Sequence, residues 1–199
     1  MQTELKDFIC NKSNKANVNH MAYIGSKPSL IQDRDSDSWY TPQKYIEMAK
    51  KVMGSIDLDP FSSEKANKKI KAVFYFSIEN SAFVNTWKQD KPINVWMNPP
   101  YGRGIIERAT HEFIRNYSLK YINQAIVLVN NATETIWFHN LLSYASVICV
   151  VCKRISFETM DNKQVSNNTR GQIFFYFGKR KKKFTIEFSK IGKCFVQFT

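Results

Sequence analysis

Two hydrophobic periods alternate along the chain, one typical of buried strands and one of amphipathic helices. Ile93-Asn94-Val95-Trp96-Met97, Ala125 to Val129, Val147 to Val151 and Gln172 to Phe177 are short apolar runs, and each predicts a buried strand. Ser55 to Leu58 and Val73 to Phe76 predict two shorter strands. Helical spacing lies between them. Ile46, Ala49 and Met53 share one face, with Thr41 as N-cap, Pro42 at the first helical position and Gly54 as the stop. Ser63 to Lys71 predicts a small polar helix. Ile105, Ala109, Phe113 and Tyr117 form another amphipathic face, and Thr135 to Tyr144 predicts a helix with Trp137 and Leu141 inward. Strands alternating with helices predict an α/β domain, a mostly parallel sheet with helices on both faces. The chain end reads differently. Phe184 to Phe188 and Cys194 to Phe198 flank Lys190-Ile191-Gly192-Lys193 and predict an antiparallel hairpin.

Met1 to Ser38 lacks either period and is rich in Asn, Lys, Ser and Asp, so residues 1–38 are expected to form an extended arm and residues 39–199 the domain. With 43% hydrophobic residues the chain is too apolar for a disordered one. The formal net charge of +12 favours a polyanionic partner, either nucleic acid or an acidic membrane surface. Met1 to Cys10 has no apolar signal core, and no apolar stretch is long enough to span a bilayer, so a cytoplasmic protein is expected. Cys149-Val150-Val151-Cys152 has CxxC spacing, but there is no second such pair and no nearby histidine. Both cysteines are therefore read as buried reduced thiols, and no metal is expected. His20, His111 and His139 show no ligand spacing either.

The strongest chemical signal is Asn98-Pro99-Pro100-Tyr101, placed where a buried strand ends and a helix begins. Open α/β sheets bind ligands at the carboxyl ends of their strands. Two adjacent prolines stiffen this loop, Asn98 and the backbone offer carbonyl acceptors, and Tyr101 offers a flat face. A planar base with an exocyclic amine needs two acceptors for its N–H groups and a surface to stack on. A structural Pro-rich turn, with Asn98 as a cap and Tyr101 in the core, accounts for the same four residues. Asp59-Pro60 ends an earlier strand, where a carboxylate can accept hydrogen bonds from a ribose or an ammonium group, or can simply cap a turn.

The tetrapeptide resembles the target-amine motif of S-adenosylmethionine-dependent amino methyltransferases. Further segments resemble the phage-type DNA N6-adenine methyltransferases: Trp39-Tyr40-Thr41-Pro42, Ile56 through Ser63, Ala66-Asn67, Trp87 and Trp96 through Gly102. The likeness continues through Asn130 to Thr135, Trp137-Phe138, Arg154-Ile155, Phe157, Gly171-Gln172 and Tyr176 to Gly178. It implies a Rossmann-like S-adenosylmethionine-dependent methyltransferase fold and an enzyme that methylates the N6 amine of adenine in double-stranded DNA. It implies a catalytic set of Asn98, Pro99, Pro100 and Tyr101, and a cofactor site of Thr41, Pro42, Asp59, Pro60, Asn67 and Asn98. The chain departs from the Gly-rich turn of many such enzymes, carrying Phe61-Ser62-Ser63-Glu64 after Asp59-Pro60. Glu134, Arg154 and Gln172 match family positions without an assigned role.

For DNA the candidates are Arg103 and Arg108 beside the tetrapeptide, and Lys179, Arg180 and Lys181 in the densest basic run, Lys179 to Lys183. That run reads equally as a solvated sheet edge. Other amines remain open as substrates, namely cytosine N4, an RNA base or a protein glutamine. So does a catalytically degenerate module that only binds nucleic acid.

Overall fold

A computed structural model of the chain describes residues 40–102, 104–159, 163–165 and 169–197. The expected arm, residues 1–38, and the DNA candidate Arg103 lie outside the described residues. Helix α1, Gln43–Met53, buries Ile46, Ala49 and Met53 on one side, as their spacing requires. Pro42 rather than Thr41 holds the N-cap position, a shift of one residue, and Gly54 ends the helix at φ 94°, where a side chain is disfavoured. Strand β1 is only Leu58–Asp59, and helix α2, Glu64–Ile70, starts where the Ser63 side chain accepts from the Ala66 N–H. Strand β2, Phe74–Tyr75, is an edge. Strand β3, Ile93–Met97, leads into helix α3, Ile105–Ser118, whose first turn follows Gly104 at φ 73°. Strand β4, Ile122–Asn130, helix α4, Ile136–Tyr144, and strand β5, Val147–Val151, follow. Strands β6, Phe157–Glu158, and β7, Gln164–Val165, form a small hairpin. Strand β8, Gln172–Phe177, helix α5, Lys181–Phe188, and strand β9, Gly192–Val196, complete the order.

The main sheet has seven strands in the order β2-β1-β3-β4-β8-β5-β9. Its first half is parallel: β1 pairs with β2 and β3, and β3 with β4. Its second half is antiparallel: β8 runs against β4 and β5, and β9 against β5. The expectation of a mostly parallel sheet is thus met on one side of β4 only. Strand neighbours settle direction, and those are non-local. Helices do cover both faces. Val95 and Met97 of β3, Val127 of β4 and Phe175 of β8 pack with Phe113 of α3 and Phe138 of α4. The alternate residues Trp96, Ile126 and Phe174 pack with Ile46 of α1 and Phe184 and Phe188 of α5. Burial on both faces explains why these strands read as continuous apolar runs.

The predicted C-terminal hairpin is not formed. Phe184 to Phe188 is helical, and β9 pairs with β5 instead. The sequence Phe-Thr-Ile-Glu-Phe satisfies both periods. As a strand it would put Phe184, Ile186 and Phe188 on one face. As a helix it pairs the two phenylalanines four apart, stacked at 4.2 Å between centroids, against Tyr176 and Phe174, and leaves Ile186 60% exposed. Burying two rings in the gap beside β8 decides between the two. The cysteines also differ from expectation: Cys149 is buried, but Cys152 lies past the end of β5 and is exposed. No helix among the described residues is long and apolar enough to cross a membrane. No cluster of three or more His, Cys, Asp or Glu suited to a metal occurs among the described residues.

Candidate active site

From β1 the chain crosses to β2 on one side, then returns to β3 on the other. The order of strands therefore reverses between β1 and β3, the place where open α/β sheets have their ligand crevice, outside the carboxyl ends of the strands. Asp59 closes β1 and Asn98 follows β3, so the two sit on neighbouring strands at this reversal.

The Asn98 amide is held at one end. Its Nδ2 donates to Thr41 Oγ1 at 3.2 Å, at the entry to α1. Its Oδ1 is buried and has no hydrogen-bond partner among the described residues. A buried carbonyl oxygen without a donor is costly to maintain, on the order of 1–3 kcal/mol. The Thr41 contact fixes which end of the amide faces the crevice and leaves the oxygen ready to accept. Sequence reasoning placed Thr41 in a cofactor pocket and missed this contact, because a link over so many residues has no local signature. Pro99 is buried and Pro100 exposed, so the rigid turn is anchored on one side.

Tyr101 is anchored by its far end. The backbone N–H of Asn130, at the end of β4, donates to the Tyr101 hydroxyl at 2.7 Å. Burial of that end pushes the phenol well above its usual range, and the Asn130 N–H pulls the other way. The residue as a whole is 40% exposed, so the ring stands partly in solvent with its tip fixed. This suits a stacking surface better than a core residue. Asn130 itself belongs to a tight network: Gln172 Nε2 donates to Asn130 Oδ1 at 3.3 Å and to the Arg170 carbonyl at 2.7 Å, while Gln172 Oε1 accepts from the Ile155 N–H at 2.8 Å. Gln172 thus orients the loops beside the site, whereas Glu134 and Arg154 are exposed. Tyr101→Phe is expected to lower stability by about 1 kcal/mol, because the Asn130 N–H loses its acceptor and the ring loosens. Tyr101→Ala should cost much more. Melting curves on both variants check the order.

Asp59 is 2% exposed, and Oδ1 accepts from the Phe61 N–H at 3.3 Å. Desolvation raises its carboxyl to about 7, against the opposing pull of the Ser62 hydroxyl and the Phe61 N–H. Ser62 Oγ is buried without the geometry of a full hydrogen bond to any described residue. A buried carboxyl beside a hydroxyl that lacks a full hydrogen bond fits a polar ligand that donates hydrogen bonds. The Asn67 amide is engaged at both ends: its Nδ2 donates to the Ala72 carbonyl at 3.2 Å, and its Oδ1 accepts from the Ala72 N–H at 2.8 Å. Both ends of the amide tie α2 to the segment before β2.

The basic candidates separate. Arg108, on the second turn of α3, stacks its guanidinium over Phe83 at 4.1 Å, and Phe83 in turn meets Phe61 next to Asp59-Pro60. That keeps Arg108 near the crevice. Lys179, Arg180 and Lys181 follow the carboxyl end of β8, which runs antiparallel to β4. They therefore sit at the opposite edge of the sheet from Asn98. Arg180 donates from Nη1 to the Val52 and Met53 carbonyls at 3.2 and 3.3 Å, closing the end of α1, and Lys181 donates to the Gln197 carbonyl.

A family model described as DNA N-6-adenine-methyltransferase (Dam) matches residues 28–194. A curated relative, the DNA N-6-adenine-methyltransferase of Escherichia phage T1, is 28% identical over 155 residues. The match covers 77% of this chain and spans 59% of the length of that relative.

Proposed function

Because the chain belongs to the DNA N-6-adenine-methyltransferase family, we propose that it transfers a methyl group from S-adenosylmethionine to the N6 amine of adenine in DNA. The observation that carries this reading is the buried, unpartnered Asn98 Oδ1 at the strand-order reversal. We read the fold as the Rossmann-like arrangement of such enzymes, with the parallel half of the sheet carrying the site.

S-adenosylmethionine, when bound, supplies a methyl group on a sulfonium that is already a good leaving group. The protein's task is then to orient the amine and to stabilise its developing charge. An adenine amino nitrogen is a poor nucleophile because its lone pair is conjugated to the ring. Asn98 Oδ1 accepts one N–H of that amine and the Pro99 carbonyl accepts the other, which draws the lone pair out of its conjugation with the ring. The same two bonds strengthen as positive charge grows on nitrogen. Tyr101 stacks on the base, which must leave the duplex at a cost of a few kcal/mol. Asp59 and the Ser62 hydroxyl would hold the polar donors of the cofactor, with Thr41, Pro42 and Pro60 shaping the same pocket. Arg108 would meet a phosphate beside the displaced base.

Incubation of unmethylated DNA with labelled cofactor, followed by nucleoside analysis, tests the reading. N6-methyladenine is the expected product. Label in N4-methylcytosine, or in no nucleoside at all, would overturn it.

A further inference from the structure

A second basic surface shares the edge of the sheet with Asn98. A cavity of about 400 Å³ is lined by Lys44, Tyr45, Cys152, Lys153, Lys190 and Lys193, among others. These lysines come from three parts of the chain. Lys44 is on the first turn of α1, Lys153 follows β5, and Lys190 and Lys193 bracket the step from α5 into β9. The strand directions put all of them at one edge. β5 runs parallel to β4, since both oppose β8, so its end at Val151 lies on the same side as Asn130 and Asn98. β9 starts at that edge because it opposes β5. Lys44 is three residues from Thr41, the hydrogen-bond partner of Asn98, so α1 borders both places with its amino-terminal end.

The charge there is compensated only in part, and Lys44 Nζ lies over the Tyr45 ring at 4.8 Å. Among the described residues Lys44, Lys153 and Lys193 form no ion pair, and only Lys190 pairs, with Glu187. The first turn of α1 carries no acidic residue, and its N-cap makes no side-chain hydrogen bond, so the positive end of the helix adds to the field. Several ammonium groups gathered on one concave surface repel each other, and an anion relieves that repulsion.

We propose that this lysine-lined cavity is a docking site for the DNA phosphate backbone flanking the target adenine. The proposal rests on the methyltransferase reading for the identity of its ligand and adds a footprint that the basic runs of the sequence do not give. The densest run, Lys179 to Lys183, begins at the opposite edge of the sheet from Asn98. The lysine cavity instead lies at the same strand ends as Asn98, on the β5 and β9 side, and would give a duplex a second point of attachment.

The experiment compares two full-length variants with the same change of charge. Lys153→Glu with Lys193→Glu alters the cavity. Lys88→Glu with Lys91→Glu alters the approach to β3, at the other edge. DNA affinity is measured against salt for a duplex oligonucleotide, together with KM and kcat for methyl transfer, cofactor affinity and melting temperature. For the cavity variant the slope of log affinity against log salt should flatten by about two, as expected when two phosphate contacts are lost. Its KM for DNA should rise tenfold or more, with kcat at saturating DNA and cofactor affinity kept. The control variant should keep the wild-type slope. Equal effects in both variants, or an unchanged slope in the first, would overturn the proposal. If the Glu variants melt early, Lys153→Gln with Lys193→Gln gives the same comparison with a slope change of the same sign.

A second readout needs no substitution. Cys152 is exposed and lines the cavity, so duplex DNA should slow its alkylation, while inorganic phosphate at equal concentration should not. Alkylation at the unprotected rate with DNA bound would count against the site. The two readings fail separately. Wild type that methylates adenine with no dependence on these lysines removes the docking site alone. Wild type with a lysine-dependent salt slope and no methyl transfer removes the catalytic reading alone.

Discussion

Asn98→Ala is expected to reduce methyl transfer a hundredfold or more while leaving cofactor affinity near that of wild type. The amide has two separable roles. Nδ2 donates to Thr41 at the start of α1, and Oδ1 is left buried without a partner. Losing the Thr41 contact removes an ordinary hydrogen bond, about 1 kcal/mol of stability. Losing the oxygen removes a preorganised acceptor for charge that develops only during transfer, which is worth about 2.7–4 kcal/mol in comparable sites. Thr41→Val separates the two. It keeps the acceptor but frees the amide to rotate, so kcat should fall by less than in Asn98→Ala. Melting temperature, calorimetric cofactor affinity and single-turnover rates on the same preparations test this. An Asn98→Ala protein that melts early yet transfers methyl groups at the wild-type rate would make Asn98 a structural cap.

Asp59→Asn is expected to stabilise the ligand-free protein at pH 8 and to weaken cofactor binding. Burial raises the Asp59 carboxyl to about 7 in the folded protein, against about 4 in an unfolded chain. Between those two values the folded state retains a proton that the unfolded state has released. Stability therefore falls as pH rises from about 4 to about 7, and the deficit is complete above that range. Its size is on the order of a few kcal/mol. Asparagine stays neutral throughout and removes this part of the pH dependence. Melting curves from pH 5 to pH 8 should show wild type losing stability relative to the variant as pH rises. Parallel curves would show that the buried carboxyl is not the source. Cofactor binding should follow the opposite sign. The ionised carboxylate is the stronger acceptor, so wild-type affinity should grow as pH rises through about 7. The variant should lose roughly 1.5–3 kcal/mol of it at pH 8. On the proposed reading, the residue that costs stability would be the one that holds the ligand.

Much of this was legible in the chain alone. The runs Ile93–Met97, Val147–Val151 and Gln172–Phe177 are strands with the bounds their apolar pattern predicts. The spacing of Ile46, Ala49 and Met53 gives α1, and Ser63 caps α2. Asn98-Pro99-Pro100-Tyr101 lies where its flanking periods put it, between β3 and α3. These features are local: side-chain period, proline, glycine and cap chemistry act within a few residues, and the sequence states them directly. Tertiary structure decided the rest. The stretch Phe184 to Phe188 suits two periods, and only the space beside Phe174 and Tyr176 selects the helix. Tyr101 gained its anchor at Asn130, and Asn98 its partner at Thr41, across gaps that no spacing rule covers. The lysines divide between the two edges of the sheet because β8 runs against β4 and β5. Strand direction is fixed by pairing between distant segments, so which charges face the site cannot be read from their density along the chain.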